Sequence, residues 1–425
     1  MDDQTTRVPD ATPISELKID PSTPLFRVRS FSLLFTTRVA STTATQMLAV
    51  VVGWHVYEIT DSALHLGLIG LVQFLPPVLL LMVAGQVADR CNRRSILRWC
   101  YAVAFCSSAG LMLVATLPNT NLTAIYGLLL VNASARIFEQ PVMQALVPVM
   151  VPRVIFSRAI AAHISARQLS VLIGPSLGGM LYVFGAAFDY GICAALFLAA
   201  WAASFMLPNP PVPLSPPDVS LDTLLAGFRF IGRCKPVLGA LLLDFVATLA
   251  GGVSALLPIY ARDILDVGSW GAGVLRSAPA LGALIAAGIM TRFPVKRAGG
   301  LWMLGSFAVY GAAIIVFGAS SNFVISVLAL VATGTADMIS SVVRQILIQM
   351  TTPDEMRGRV SAVNALFYGT AGQLGGFRAG VMAHAMGAVG SVVIGGVAVL
   401  VTVVLWPWLF PSLRRVDRPD EVQAS

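Results

Sequence analysis

Apolar runs of about 20 residues follow one another along the chain, divided by short polar turns. Each run is long enough to cross about 30 Å of hydrocarbon as a helix. Twelve are read, at 30–57, 64–87, 96–117, 122–143, 158–185, 190–208, 237–261, 269–291, 299–318, 322–349, 360–386 and 389–410. This pattern predicts an all-α integral membrane protein with twelve transmembrane helices. The turns differ in charge. The even-numbered ones carry Arg90, Arg93, Arg94 and Arg98, then Arg153 and Arg158, then Arg229, Arg233 and Lys235. Arg292, Lys296 and Arg297 follow, then Arg357 and Arg359, and finally Arg414 and Arg415. In the odd-numbered turns Arg262 is the one Arg or Lys. Basic residues stay on the cytoplasmic side, so both termini are expected there.

The middle turn is the longest. It opens Pro208-Asn-Pro-Pro-Val-Pro213, which favours a stiff, extended linker. It then becomes amphipathic over Leu221–Ile231, a segment suited to lying on the inner membrane surface. The chain is thereby divided into a cytoplasmic segment 1–29, six spans over 30–208, a linker 209–236, six spans over 237–410 and a tail 411–425. Only 12% of residues are charged, against about 25% in soluble domains. The net charge of +7 is accounted for by the Arg-rich turns, and no nucleic-acid partner is expected. Residues 1–24 lack the apolar core and cleavage site of a signal peptide, so the first span is expected to direct insertion. Five Cys, an odd number and most of them in spans or on the inner side, argue against a disulfide framework, and no C-x-x-C spacing suggests metal. The four His are scattered and there is no G-x-x-x-x-G-K-[ST] run. Zinc-protease, di-iron and ATP-driven chemistry are disfavoured, and no cofactor is expected.

The turn after the second span reads Gly85-Gln-Val-Ala-Asp89-Arg90-Cys-Asn-Arg93-Arg94, the pattern G-x-x-x-D-R-x-x-R-R. It resembles the loop between helices two and three of the major facilitator superfamily of transporters. An ordinary positive-inside loop is the other reading. The fifth span holds Gly174-Pro175 and Gly178-Gly179, which resemble the antiporter motif of exporters in that superfamily. Ala161 and Ser170 stand where that motif usually has Gly. A side-chain-free ridge lets another helix approach closely, and simple close packing would explain it equally. Gly372, Gly376 and Gly380 make a second ridge, read as structural. Phe31–Arg38, Ser220–Phe230, Asp337–Arg344 and Thr352–Arg359 narrow the resemblance to the bacterial branch of enterobactin exporters and macrolide efflux pumps.

This resemblance implies two six-helix halves with a cargo site between them near the midplane. It implies a monomer in the bacterial inner membrane that exports a small amphipathic molecule by alternating access and proton antiport. It also implies an inner gate of Gly85, Asp89, Arg90, Arg93, Arg94 and Arg136, with Asp89 against the start of the eleventh helix. Lysophospholipid movement is the rival within transport. A membrane enzyme or signalling protein that has lost transport is the rival outside it.

Charges at membrane depth need a reason, since each costs about 2.5–3.5 kcal/mol to insert. Arg38, Arg136, Glu139, Arg167, Asp244, Arg276, Asp337, Arg344 and Arg378 all fall within spans. The neutral groups Gln46, Gln73, Asn132, Gln168, Gln345 and Gln373 accompany them. Structural ion pairs would explain any one of these charges; a polar cavity explains the set. The excess of Arg suits an anionic or metal-chelating cargo. Arg38, Gln46, Arg276, Arg344 and Arg378 are the candidate substrate-binding residues. Asp337 is the first candidate for proton coupling, followed by Asp244 and Glu139.

Overall fold

The computed structural model describes residues 20, 24–118, 120–208, 221–293 and 299–411. Helices α1 (Arg29–Thr60), α2 (Ala63–Arg90), α3 (Arg93–Thr116), α4 (Leu122–Met150), α5 (Phe156–Leu181) and α6 (Ala186–Met206) form a first bundle. Helix α7 (Leu221–Arg233) follows. The second bundle holds α8 (Lys235–Gly251), α9 (Leu257–Ile259), α10 (Gly268–Arg292), α11 (Gly299–Ala319), α12 (Phe323–Thr351) and α13 (Asp354–Leu409). A 3-10 turn, Val253–Leu256, joins α8 to α9, and a π-turn, Tyr260–Ile264, continues from α9.

Local sequence accounts for three of the helix starts. Asn92, Asn121 and Asn322 each accept a backbone N–H from the first turn of the helix that follows. This satisfies donors that a helix start leaves open. The seventh run differs from the expected continuous span, whereas the eleventh and twelfth part within the expected turn at 387–388. The seventh bends between Gly251 and the 3-10 turn. The eleventh and twelfth run together as α13, broken inside at Gly387, whose φ of 83° is left-handed. A side chain there would be strained, and Gly removes the penalty.

Nine of these segments are apolar enough throughout to cross a membrane, among the described residues. The break at Gly387 divides one of them, Met356–Leu409, into two spans. Helices α1 and α5 are long enough but more polar. They carry Arg38, Gln46 and His55, and His163, Arg167 and Gln168. Helix α1 packs on α5 and α6, and α5 packs on α1 and α10.

The Arg-bearing turn after α2 is shorter than its sequence pattern suggested. Asp89 and Arg90 are the last turn of α2, and only Cys91 and Asn92 separate the two helices. Residues 209–220, the Pro-rich part of the linker, lie outside the described residues. The amphipathic part is α7. It packs on α13 and α8, with Ile231 buried and the Phe228 and Phe367 rings 6.1 Å apart.

Candidate functional site

The two bundles meet along two seams, α2 with α13 and α5 with α10. Both seams contain crossings at backbone distance. A Cβ added to Gly380 would stand 2.5 Å from the Cα of Gly67. One added to Gly179 would stand 2.5 Å from the Ser269 carbonyl oxygen and 2.9 Å from the Cα of Gly273. No side chain fits at either place. The Ser176 and Ser277 hydroxyls bond across the second seam at 2.9 Å. The fifth-span motif is therefore divided. Gly179 serves the seam, while Gly174 and Gly178 press against Gln46 and Met47 of α1. The Pro175 carbonyl faces Gly273.

These crossings lie toward the face opposite the Arg-rich turns. A polar lock closes that face between the bundles. Arg262 pairs with Asp61 at 2.5 Å and with Asp263 at 3.4 Å, and its guanidinium lies 4.9 Å from the Tyr57 ring centroid. The Tyr57 hydroxyl donates to Asp263. Arg262 had stood out only as the lone basic residue of its kind of turn. Its partners Tyr57, Asp61 and Asp263 carry no motif.

Beneath the lock lies a cavity of 190 Å³. Gln73 of α2, Arg276 of α10 and Gln373 of α13 supply polar lining, with Ser254 from the bend after α8. The bend places Ser254 there, and its carbonyl receives Arg276 at 3.5 Å. Arg276 has Arg136 of α4 as an electrostatic neighbour, and Arg136 in turn has Arg38, Arg167 and Glu139. His163 sits among Arg38 and Arg167. Arg167 is exposed on the side of the Arg-rich turns, with Tyr368 of α13 as its electrostatic neighbour; Tyr368 is exposed too. The site is thus a positive region shared by both bundles.

One acid answers it from the first bundle. Glu139 is buried and accepts hydrogen bonds from Ser41 at 2.9 Å and Tyr101 at 3.2 Å. Arg38 is also buried, and its Nε has no partner among the described residues. Gln46 contributes its stem to the contact with Gly174.

The second bundle is arranged differently. Arg344 of α12 forms an ion pair with Asp244 of α8, and both side chains are buried. Arg344 also donates to Ser341 at 3.4 Å and lies 5.8 Å from the Tyr368 ring centroid. The structure thus gives Arg344 to Asp244 rather than to an open cargo surface. Arg378 is likewise engaged. It donates to the carbonyls of Leu249 at 2.9 Å and Ala250 at 2.5 Å. Those carbonyls belong to the last turn of α8, left open by the bend. Arg378 caps that turn, a role hidden while the seventh span was read as continuous. Asp337 is half-buried, with no hydrogen-bond or ion-pair partner among the described residues. Asp244 and Arg344 are its electrostatic neighbours.

Arg136 lies at a different depth from the Arg-rich turn. Arg93 donates to the Ala145 carbonyl of α4 at 3.3 Å, which fixes the level of the turn. Arg136 is nine residues farther along α4, about 13.5 Å of rise. It is an electrostatic neighbour of the cavity-lining Arg276. Arg94 caps the end of α6 through the carbonyls of Ser204, at 3.3 Å, and Phe205. A cation at a helix C-terminus meets the negative end of the dipole. Arg90 is exposed. Gly85 lies within α2. The Asp89 side chain lies outside the described residues, as does its expected contact at the start of α13.

A positive cavity between two helical bundles, sealed at one face by close helix crossings, defines a major facilitator transporter. Solved structures agree in fold. The nucleoside transporter NupG matches with a TM-score of 0.68 at 13% identity, over 91% of this chain and 99% of that one. A bacterial homologue of the human lysosomal transporter Spinster, inward-facing and occupied, matches with a TM-score of 0.72 at 15% identity, over 92% and 98%. The chain belongs to the transmembrane secretion effector family, whose profile matches residues 20–423. It is similar to the enterobactin exporter EntS of Escherichia coli O81 (strain ED1a), 30% identical over 402 residues, 93% of this chain and 95% of that one. The same figures hold for the enterobactin exporter EntS of Shigella boydii serotype 18 (strain CDC 3083-94 / BS512). This protein is a multi-pass membrane transporter, and its relatives are transporters rather than enzymes.

Proposed function

We propose that the protein exports a small, anionic, amphipathic molecule, siderophore-like or drug-like, by alternating access with proton antiport. The observation that carries this reading is Arg276 lining a cavity between the bundles that is closed at one face, with Arg136, Arg38 and Arg167 as its charged neighbours. Like charges gathered in a poorly solvated site repel one another, and a bound anion relieves that repulsion. Gln73 and Gln373 supply neutral hydrogen-bonding groups from opposite bundles. The named relatives export enterobactin, which supports the cargo class.

The Arg-rich turns lie in the cytoplasm, as do both termini, and the membrane is the bacterial inner membrane. In the state described here the opposite face is shut. Cargo then loads from the cytoplasmic side, past the exposed Arg167 and Tyr368. Opening requires the seams and the Arg262 lock to part. Asp337 carries the proton: with no fixed partner it can bind and release one as its hydration changes, and Arg344 is close enough to favour release. The transporter acts as a monomer on small-molecule cargo, protons and lipid alone. Proteoliposomes with an imposed pH gradient test this reading. Anionic cargo should accumulate only with the gradient, and accumulation without it removes the antiport reading.

A further inference from the structure

The first bundle buries a carboxyl group that transport as described above does not use. Asp189 sits in the first turn of α6, toward the face closed by the lock. It is fully buried, and neither carboxylate oxygen has a hydrogen-bond partner. Its neighbours on α6, Tyr190 and Cys193, belong to one buried apolar cluster with α1 and α4 residues. The titratable groups facing this region come from three elements. Helix α1 supplies His55 and the exposed Glu58, the turn after α5 supplies Tyr182, and α6 itself supplies Tyr190 and Cys193. They are committed elsewhere. The Tyr190 hydroxyl is 3.1 Å from His55 Nδ1, and the Tyr182 hydroxyl donates to Glu58 at 2.5 Å.

An ionised carboxylate without a partner in such a place is far more costly than a neutral acid. We infer that Asp189 is a protonation site of the first bundle, occupied while the face opposite the Arg-rich turns is closed. The step is a proton transfer alone. A hydronium ion at that face loses one O–H bond and becomes water, one O–H bond forms on the Asp189 carboxylate, and that bond breaks to return the proton to water when the face opens and water reaches α6. Glu58, exposed and bonded to Tyr182, is a carboxylate in contact with that water. The inference rests on the transporter reading and adds to it a proton that enters and leaves at one face, in the bundle that lacks Asp337, and so marks whether that face is closed rather than crossing the membrane. Its test reads the proton directly, so it stands or falls apart from coupled transport.

The test is infrared spectroscopy of the full chain in lipid at neutral pH, comparing the wild type with Asp189→Asn. The carbonyl band of protonated carboxyl groups should lose one group's absorbance in the variant. Superposable spectra would overturn the assignment. Asp189→Glu provides a second check should the Asn variant fold poorly. It should move the band without removing it, and an unmoved band would again overturn the inference. Arg262→Ala, which loosens the lock, should lower the same band in the otherwise native chain. A band of undiminished size would sever Asp189 from the opening of that face.

Discussion

The two bundles handle buried charge in opposite ways. In the first, Arg38, Arg136 and Arg167 gather near one acid, Glu139, which Ser41 and Tyr101 already hold. In the second, Arg344 is matched to Asp244, and Arg378 is matched to the carbonyls at the end of α8. Surplus positive charge is therefore a property of the cavity side of the first bundle, extended across by Arg276. Matched charge is a property of Arg344 and Arg378 in the second, where Asp337 alone of the two deep acids has no ion-pair partner among the described residues. The difference teaches that an Arg within a span is not one kind of residue. Whether it serves cargo or architecture depends on what faces it.

The sharpest way to break this comparison is to remove one member of the matched pair. Arg344→Met leaves Asp244 buried without its counter-charge, which should cost about 3–5 kcal/mol of stability. Thermal unfolding in detergent reads it. The double variant Asp244→Asn with Arg344→Met should recover most of the loss. A single variant as stable as the wild type would mean that the pair is not what holds α8 to α12.

Asp337→Asn comes next, because it should spare the fold and remove the coupling. The protein is expected to insert and bind cargo, yet fail to concentrate it under a proton gradient. Uptake into inside-out vesicles at the wild-type rate would exclude Asp337 from the mechanism.

Arg276→Ala sharpens the other side of the comparison. A charge-assisted hydrogen bond is worth about 1.5–3 kcal/mol, so affinity for anionic cargo should fall roughly 10- to 150-fold. A neutral cargo of similar size should bind much as before. Equal losses for both would reassign Arg276 to packing. Arg262→Ala should have the smallest effect, about 0–1 kcal/mol, because the ion pair it breaks is exposed. Cross-linking between cysteines placed on either side of the lock should report a modest shift toward the open face, and faster cross-linking than in the wild type would contradict it.

Most of the fold was legible because hydrocarbon thickness sets run length and Arg placement sets alternation. Even the polar α1 and α5 were read as spans, since their neighbours in the alternation left no other place for them. The site was less legible. Arg276, Gln73 and Gln373 could be named as deep polar residues, but only packing brings α2, α10 and α13 around one cavity. The partner of Asp244 lies a hundred residues away on another helix, beyond any local pattern. Arg378 needed the bend at Gly251–Gly252 to acquire its carbonyls, and a bend of that kind leaves little trace in an apolar run. The lock around Arg262 depended on residues from both bundles, of which only one was unusual in its own turn.

The glycine crossings carry a consequence for redesign. At Gly67–Gly380 and Gly179–Gly273 the bundles touch through backbone, so what closes the transporter is nearly independent of the side chains that choose its cargo. A library that varies Gln73, Arg276 and Gln373 while keeping those four glycines would change the menu and leave the door alone. A bulkier residue at any of the four would do the reverse.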